Sequence, residues 1–235
     1  MDVIYGVRPV VEALRGRRTV HEILDATGNW EVERLAKERG VALRRVPRDR
    51  VARLAGGVAH QGVAARAEPY PYAALEEVLA EGDAMVAVLD GITDPRNLGA
   101  VLRVADGAGA SGVVIPKDRA AGVTPAAVKA SAGASEHVRV ARVTNLRRAI
   151  ERMKEAGVWV YAAEPCGETY TEVDLSGRVA VVLGSEGRGM RRLVREGCDG
   201  VLSIPMLGAV SSLNVSVAAA VLLYEARRQR GWQST

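Results

Sequence analysis

From residue 84 onward the chain carries six apolar runs of strand length, separated by segments of helical length: Ala84 to Leu89, Gly112 to Ile115, Val138 to Val143, Val158 to Ala163, Val179 to Leu183 and Val201 to Ile204. A strand buried on one face alternates apolar with polar residues, whereas a near-continuous apolar run signals burial on both. Such strands alternating with helices predict an α/β class, a largely parallel sheet covered by helices. The last helix, about Ser212 to Gln229, is apolar around Val215 and Val217 to Leu223 and basic at Arg227, Arg228 and Arg230. It reads as a core or subunit-interface helix, because its longest apolar stretch, Val215 to Tyr224, is too short to span a bilayer.

The 235 residues exceed a typical single domain, so two compact units are expected. In the first third the periodicity predicts helix at Val10 to Leu14, extended chain at Glu22 to Leu24, helix at Trp30 to Arg39, extended chain at Val41 to Val46, helix at Arg48 to Leu54 and extended chain at Val63 to Ala65. This is a small α/β unit. Two prolines in Ala67 to Tyr72 break regular structure and mark a linker. The expected division is 1–66, a linker at 67–80, and 81–235.

The net charge of +4 is unevenly spread: residues 1–66 hold 13 Lys+Arg against 8 Asp+Glu, and the remainder holds 19 against 20. Clustered positive charge in the first third suits a phosphate backbone, and equally a solvated face. The two cysteines, Cys166 and Cys198, have no Cys or His at metal spacing, which argues against a disulfide framework and a zinc site and fits a reducing cytoplasm. No basic stretch followed by an apolar run opens the chain, and no membrane role is expected.

Three segments combine polar residues with strand ends. Asp90 to Arg103 follows a buried strand and opens a helix, with Asn97 placed as N-cap and Arg103 one turn beyond Gly99. Ligands of α/β sheets bind at such places, and an Arg near a helix N-terminus makes a phosphate site, though a capped helix with a surface Arg explains the spacing too. Leu183 to Met190 packs Gly184, Gly187 and Gly189 around Glu186, so backbone can approach a ligand closely, or form a tight turn with a capping Glu. Ile204 to Ser216 sets Ser212, Leu213 and Asn214 where a loop enters the last helix, with capping by Ser212 as the plainer explanation. Gly107 to Gly112 matches the dinucleotide spacing G-x-G-x-x-G but ends a helix and precedes a strand, the reverse of the required order, so it reads as a helix end and turn.

The strings NLGAVLRVADGAGASGVV, VVLGSEGRGM and SIPMLGAVSSLNVSVAAAVLLYE, in that order at strand ends, resemble the three signature motifs of the SpoU/TrmH family of RNA ribose 2′-O-methyltransferases. YGVRPVVEAL and HQGVAA, at His60 to Ala65, are similar to the N-terminal substrate-binding domain of its RlmB-like branch, which methylates a guanosine of large-subunit (23S) ribosomal RNA. The resemblance covers nearly the whole chain.

The resemblance implies a C-terminal trefoil-knotted (SPOUT) parallel-sheet domain, an exception to the rule against knots, with a small N-terminal α/β RNA-binding domain. It also implies S-adenosylmethionine as methyl donor and a homodimer. It assigns cofactor contacts to Gly184, Ile204 and Leu213, and a polar catalytic set to Asn97, Arg103, Glu186, Ser212 and Asn214. In that reading Arg103 grips the target phosphate and stabilises developing negative charge, while the other four orient the sugar. Arg44, Arg45, Arg48, Arg50 and Arg53 are candidates for gripping folded RNA through its phosphates. Ribosomal RNA is the expected partner, with transfer RNA or another ribosomal nucleotide as the alternative. A dinucleotide enzyme or a catalytically silent RNA-binding protein are the rivals from other classes.

Overall fold

A computed structural model describes residues 1–185 and 187–232. The N-terminal third contains β1 (Asp2–Tyr5), α1 (Val7–Arg15), β2 (Val20–Asp25), α2 (Trp30–Arg39), β3 (Ala42–Arg45), α3 (Arg48–Leu54) and β4 (Val63–Ala67). Its four strands form a mixed sheet in the order β1-β4-β2-β3, antiparallel except for β2 with β3. α2 shows how locally the ends are written: Asn29 caps it by accepting from the N–H groups of Glu31 and Val32, and Gly40 closes it at φ 65, where a side chain would be strained.

After β4 come α4 (Leu75–Leu79), β5 (Met85–Asp90), α5 (Pro95–Gly107), β6 (Gly112–Pro116), α6 (Pro125–Ala130), a 3-10 turn (Ala134–Glu136) and β7 (Val140–Val143). α7 (Leu146–Glu155), β8 (Trp159–Thr169), β9 (Val179–Gly184), α8 (Arg192–Arg195), β10 (Gly200–Ser203) and α9 (Val215–Arg230) complete the described chain. The second sheet has six strands in the order β10-β8-β9-β5-β6-β7, and every adjacent pair is parallel.

Both faces of this sheet are buried, which is why its strands are apolar throughout. Along β5, Met85, Ala87 and Leu89 face one core with α5 and α9, while Val86 and Val88 face another with α4 and α7. In β9, Val179, Val181 and Leu183 share the first core and Ala180 and Val182 the second. Burial of each Met, Val or Leu among them contributes roughly 1.5–3 kcal/mol. The first core runs on into the N-terminal unit through Ile4, Val10 and Leu14.

The residues between the sheets are packed down. Tyr70 is buried and its hydroxyl donates to the carbonyls of Ser135 and Val138, at 2.8 and 3.1 Å, while Tyr72 accepts from the N–H of Val123. Arg18, buried in the N-terminal unit, pairs with Glu136 at 3.4 Å and with Asp2. Among the described residues no helix is long and apolar enough to cross a membrane.

The Gly107 to Gly112 run falls where the sequence places it, closing α5 and turning into β6, with Gly109 at φ 65. It opens no helix and cannot cradle a pyrophosphate at a helix N-terminus.

Candidate active site

Parallel register brings the ends of the three segments together. Asp90, the last residue of β5, lies opposite Gly184 of β9, and Leu183 of β9 lies opposite Ala163 of β8. The chain moves outward from β5 to β6 and β7, then crosses back to β8 and inserts β9 between, so this is the point where strand order reverses. Crevices at the carboxyl ends of such strands are where open α/β sheets hold ligands.

A cavity of about 380 Å³ opens there, within the range of roughly 300–1,000 Å³ usual for small-molecule sites. Its wall is built from the loop after β9 (Gly184, Ser185, Gly187, Gly189), the loop after β10 (Ile204, Met206, Ser211, Ser212, Leu213) and the start of α9. All three residues expected to contact the cofactor, Gly184, Ile204 and Leu213, line it, as does Ser212. A third stretch, Ala163 to Pro165, completes the wall. Local sequence carries no sign of it, because the apolar pattern of β8 holds no polar motif.

Glycine shapes the loop after β9. A Cβ on Gly184 would sit 2.6 Å from the carbonyl carbon of Gly189 and from the nitrogen of Met190, so backbone packs directly on backbone. Ser185 and Gly189 exchange backbone hydrogen bonds at 3.1 and 2.8 Å across this turn. Asp90, only 1% exposed, anchors the far end by accepting from the backbone N–H of Arg191 at 2.8 Å and from its Nε at 2.7 Å. Mostly apolar walls with backbone presented at glycines fit a nucleoside-sized ligand such as S-adenosylmethionine. Glu186 lies outside the described residues.

The start of α5 differs from expectation, and the start of α9 rules out the rival explanation of Ser212. α5 is capped by Asp94, which accepts from the N–H of Arg96 at 2.8 Å, with Pro95 in the first position; Asn97 therefore stands within the first turn. Asp-Pro is the stronger start signal, since proline gives up no hydrogen bond there. α9 is capped by Asn214, whose Oδ1 accepts from the N–H of Ser216 at 2.9 Å, rather than by Ser212. Asn97 meets this cap: Asn214 Nδ2 donates to Asn97 Oδ1 at 3.1 Å.

Arg103 stands apart from the cavity. It is exposed, makes no hydrogen bond or ion pair among the described residues, and lines a second hollow with Ala100, Val104, Asp106, Ala130 and Tyr224 between α5, α6 and α9. Gly99 gives it no passage, because a Cβ there would lie 2.4 Å from the carbonyl oxygen of Ala127; that glycine lets α6 pack against α5. Burial holds the Asp106 carboxyl above its ordinary range. None of the three histidines lines the cavity. Burial likewise pushes the Cys198 thiol up to about 12, so it supplies no thiolate.

The sequence profile of the SpoU rRNA Methylase family matches residues 84–224, and that of the RNA 2′-O ribose methyltransferase substrate-binding domain matches residues 3–73. The chain is 45% identical over 240 residues to the 23S rRNA (guanosine-2′-O-)-methyltransferase RlmB of Xanthomonas campestris pv. campestris, covering 97% of this chain and 96% of that one. It is 42% identical, over 97% of its length and 96% of the relative's, to YacO of Bacillus subtilis, named as a TrmH family tRNA/rRNA methyltransferase. The crystal structure of the SpoU methyltransferase AviRb from Streptomyces viridochromogenes with AdoMet superposes at a TM-score of 0.83, with 26% identity, 97% of this chain and 89% of that chain covered. The fold is thus the knotted α/β SPOUT class that the motifs implied, joined to a small N-terminal α/β unit. Fold, site and both profiles lead to one conclusion: the chain belongs to the SpoU family and is an S-adenosylmethionine-dependent RNA ribose 2′-O-methyltransferase.

Proposed function

We propose that the chain methylates the ribose 2′-hydroxyl of a guanosine in 23S ribosomal RNA, as a homodimer acting in the cytoplasm where that RNA is found. The observation that carries this reading is its 45% identity, end to end, with a relative named for that reaction. Relatives named for tRNA/rRNA keep transfer RNA as the alternative substrate.

S-adenosylmethionine, held by Gly184, Ile204, Leu213 and the backbone around them, supplies the methyl group. Asn97, Ser212 and Asn214, with Glu186, orient the sugar so that its 2′-oxygen faces the sulfonium methyl in line. Such alignment is worth roughly 7–11 kcal/mol, more than the about 10²–10⁴-fold a general base adds, which suits a cavity without histidine. Arg103 grips the phosphate of the target nucleotide with its planar fork and stabilises charge developing on the 2′-oxygen. The exposed Val217 and Tyr224 of α9 support the dimer reading, and a second copy packed there would bring new groups to the hollow holding Arg103.

The test is incubation of purified protein and labelled cofactor with undermodified 23S ribosomal RNA and, separately, transfer RNA, followed by mapping of ribose methylation. One methylated guanosine in 23S RNA is expected; label confined to transfer RNA contradicts the reading.

A further inference from the structure

The basic N-terminal third spends most of its positive charge internally. Arg44 pairs with Glu22 at 2.9 Å, Arg45 with Asp25 at 3.0 Å, and Arg53 with Asp49 at 2.7 Å. The seam where this unit meets α6 is different. Lys129 of α6 reaches the start of α1, its Nζ lying 2.6 Å from where a Cβ on Gly6 would stand. Gly6 is the residue before α1, at φ 102, and caps it with no side chain. One orphan N–H of that first turn, on Val7, is satisfied by Gln61 Oε1 at 3.2 Å.

Lys129 is half-buried, and burial lowers its pKa, yet no carboxylate among the described residues pairs with it. Arg48 likewise makes no ion pair there. His60, 8% exposed, lies within electrostatic reach of both. Its Nδ1 accepts from the N–H of Gly62 at 3.0 Å, which leaves the proton on Nε2, and no described group accepts from Nε2. Burial first, then the charges of Arg48 and Lys129, hold the imidazole below its ordinary pKa. Lys129 thus stands at the start of α1, with Gln61 Oε1 beside the same point, near a second cation and an imidazole N–H. Two cations without a carboxylate partner among the described residues, with an imidazole N–H near them, are groups suited to a phosphate.

We propose that this seam, formed by Lys129, Arg48 and His60 Nε2, seats a backbone phosphate of the RNA substrate. The proposal rests on RNA being the substrate, and it gives the N-terminal unit a grip shared with the methyltransferase unit. Ala130, the neighbour of Lys129, lines the hollow that holds Arg103, so a strand seated here leads toward the reacting nucleotide.

The test reads RNA affinity against salt, using an unmodified 23S rRNA fragment and fluorescence anisotropy in potassium chloride. Each phosphate contact contributes about one unit to the slope of log Kobs against log salt. Lys129→Met and Arg48→Gln should each lower the slope by about one, with cofactor affinity unchanged and no loss of thermal stability, since an uncompensated cation is removed. Arg148→Ala, an exposed cation on α7, should leave the slope unchanged. An unchanged slope in both seam variants, or an equal loss in Arg148→Ala, overturns the proposal. So does a seam that inorganic phosphate stabilises while the RNA slope stays fixed, which would mark a free-anion site. If no methyl transfer occurs but the slope falls, the phosphate seat stands and the assigned activity fails; methyl transfer with an unchanged slope is the converse.

Discussion

Asn214 donates from its side-chain amide to Asn97 at 3.1 Å while its own Oδ1 caps α9 through the N–H of Ser216 at 2.9 Å, so one amide ties the first turn of α5 to the start of α9. Both ends of that amide are committed, which fixes its orientation. Asn214→Asp keeps the capping oxygen but turns the donor that faces Asn97 into an acceptor. It should retain thermal stability and lose most methyl transfer, whereas Asn214→Ala should lose activity and, with the cap gone, about 1 kcal/mol of stability. Calorimetry and a methyl-transfer assay on both variants check this; full activity in Asn214→Asp would remove this contact from the site.

Arg103 lies outside the cavity that receives the cofactor, so its variants should separate binding from transfer. Arg103→Lys keeps the charge and loses the bidentate fork. Turnover should fall by about 10²-fold or more, in the range of a lost charge-stabilising donor, with the cofactor dissociation constant unchanged. Single-turnover kinetics with calorimetric titration of the cofactor measure the two quantities, and near-normal turnover contradicts the assigned grip.

The loop after β9 should respond to changes at both of its anchors. Gly184→Ala forces a Cβ to within 2.6 Å of backbone, and Asp90→Asn weakens the paired hydrogen bonds to Arg191. Each should raise the cofactor dissociation constant about tenfold or more, the equivalent of the ~1.4 kcal/mol lost with one hydrogen bond to a charge. A cofactor titration with unchanged affinity in both variants would show that this loop does not shape the cavity.

The end of α9 carries a pH-dependent contribution to stability. Glu225, 8% exposed, accepts from Arg228 Nε and Nη2 at 2.8 and 2.7 Å and from Gln229 Nε2 at 2.9 Å. The Arg228 bond chiefly holds its carboxyl below the ordinary glutamate value. A depressed folded-state pKa means stability that is present above the unfolded value and lost as pH falls through the folded one. Glu225→Gln should cost about 1 kcal/mol at pH 7, discounted because Arg228 is exposed, and the gap to the parent chain should close in acid. Denaturant melts at neutral and low pH read this directly.

Much of the second sheet was legible because both its faces are buried, so each strand announced itself as an apolar run. Arg48–Leu54 and Trp30–Arg39 emerged as helices at the expected residues. β1, only Asp2–Tyr5, was missed: four residues give too short a pattern to read. The short helix α4 hid behind the two prolines. In the site, Asn97 is not the cap that its spacing suggests, because its first-turn position depends on Asp94-Pro95 upstream, and Asn214 as cap of α9 removes the rival explanation of Ser212. The Ala163–Pro165 wall and the Asp90–Arg191 anchor depend on which strands become neighbours, a tertiary fact no local window contains.

On the proposed assignment, three segments far apart in sequence form one site for methylation of a ribose hydroxyl. The most direct measurement is digestion of RNA treated with the enzyme and isotope-labelled S-adenosylmethionine to nucleosides, followed by mass spectrometry. Labelled 2′-O-methylguanosine is expected, abolished together with turnover in Asn97→Ala and Arg103→Ala. Label on the base, or ribose labelling that survives both substitutions, would contradict it.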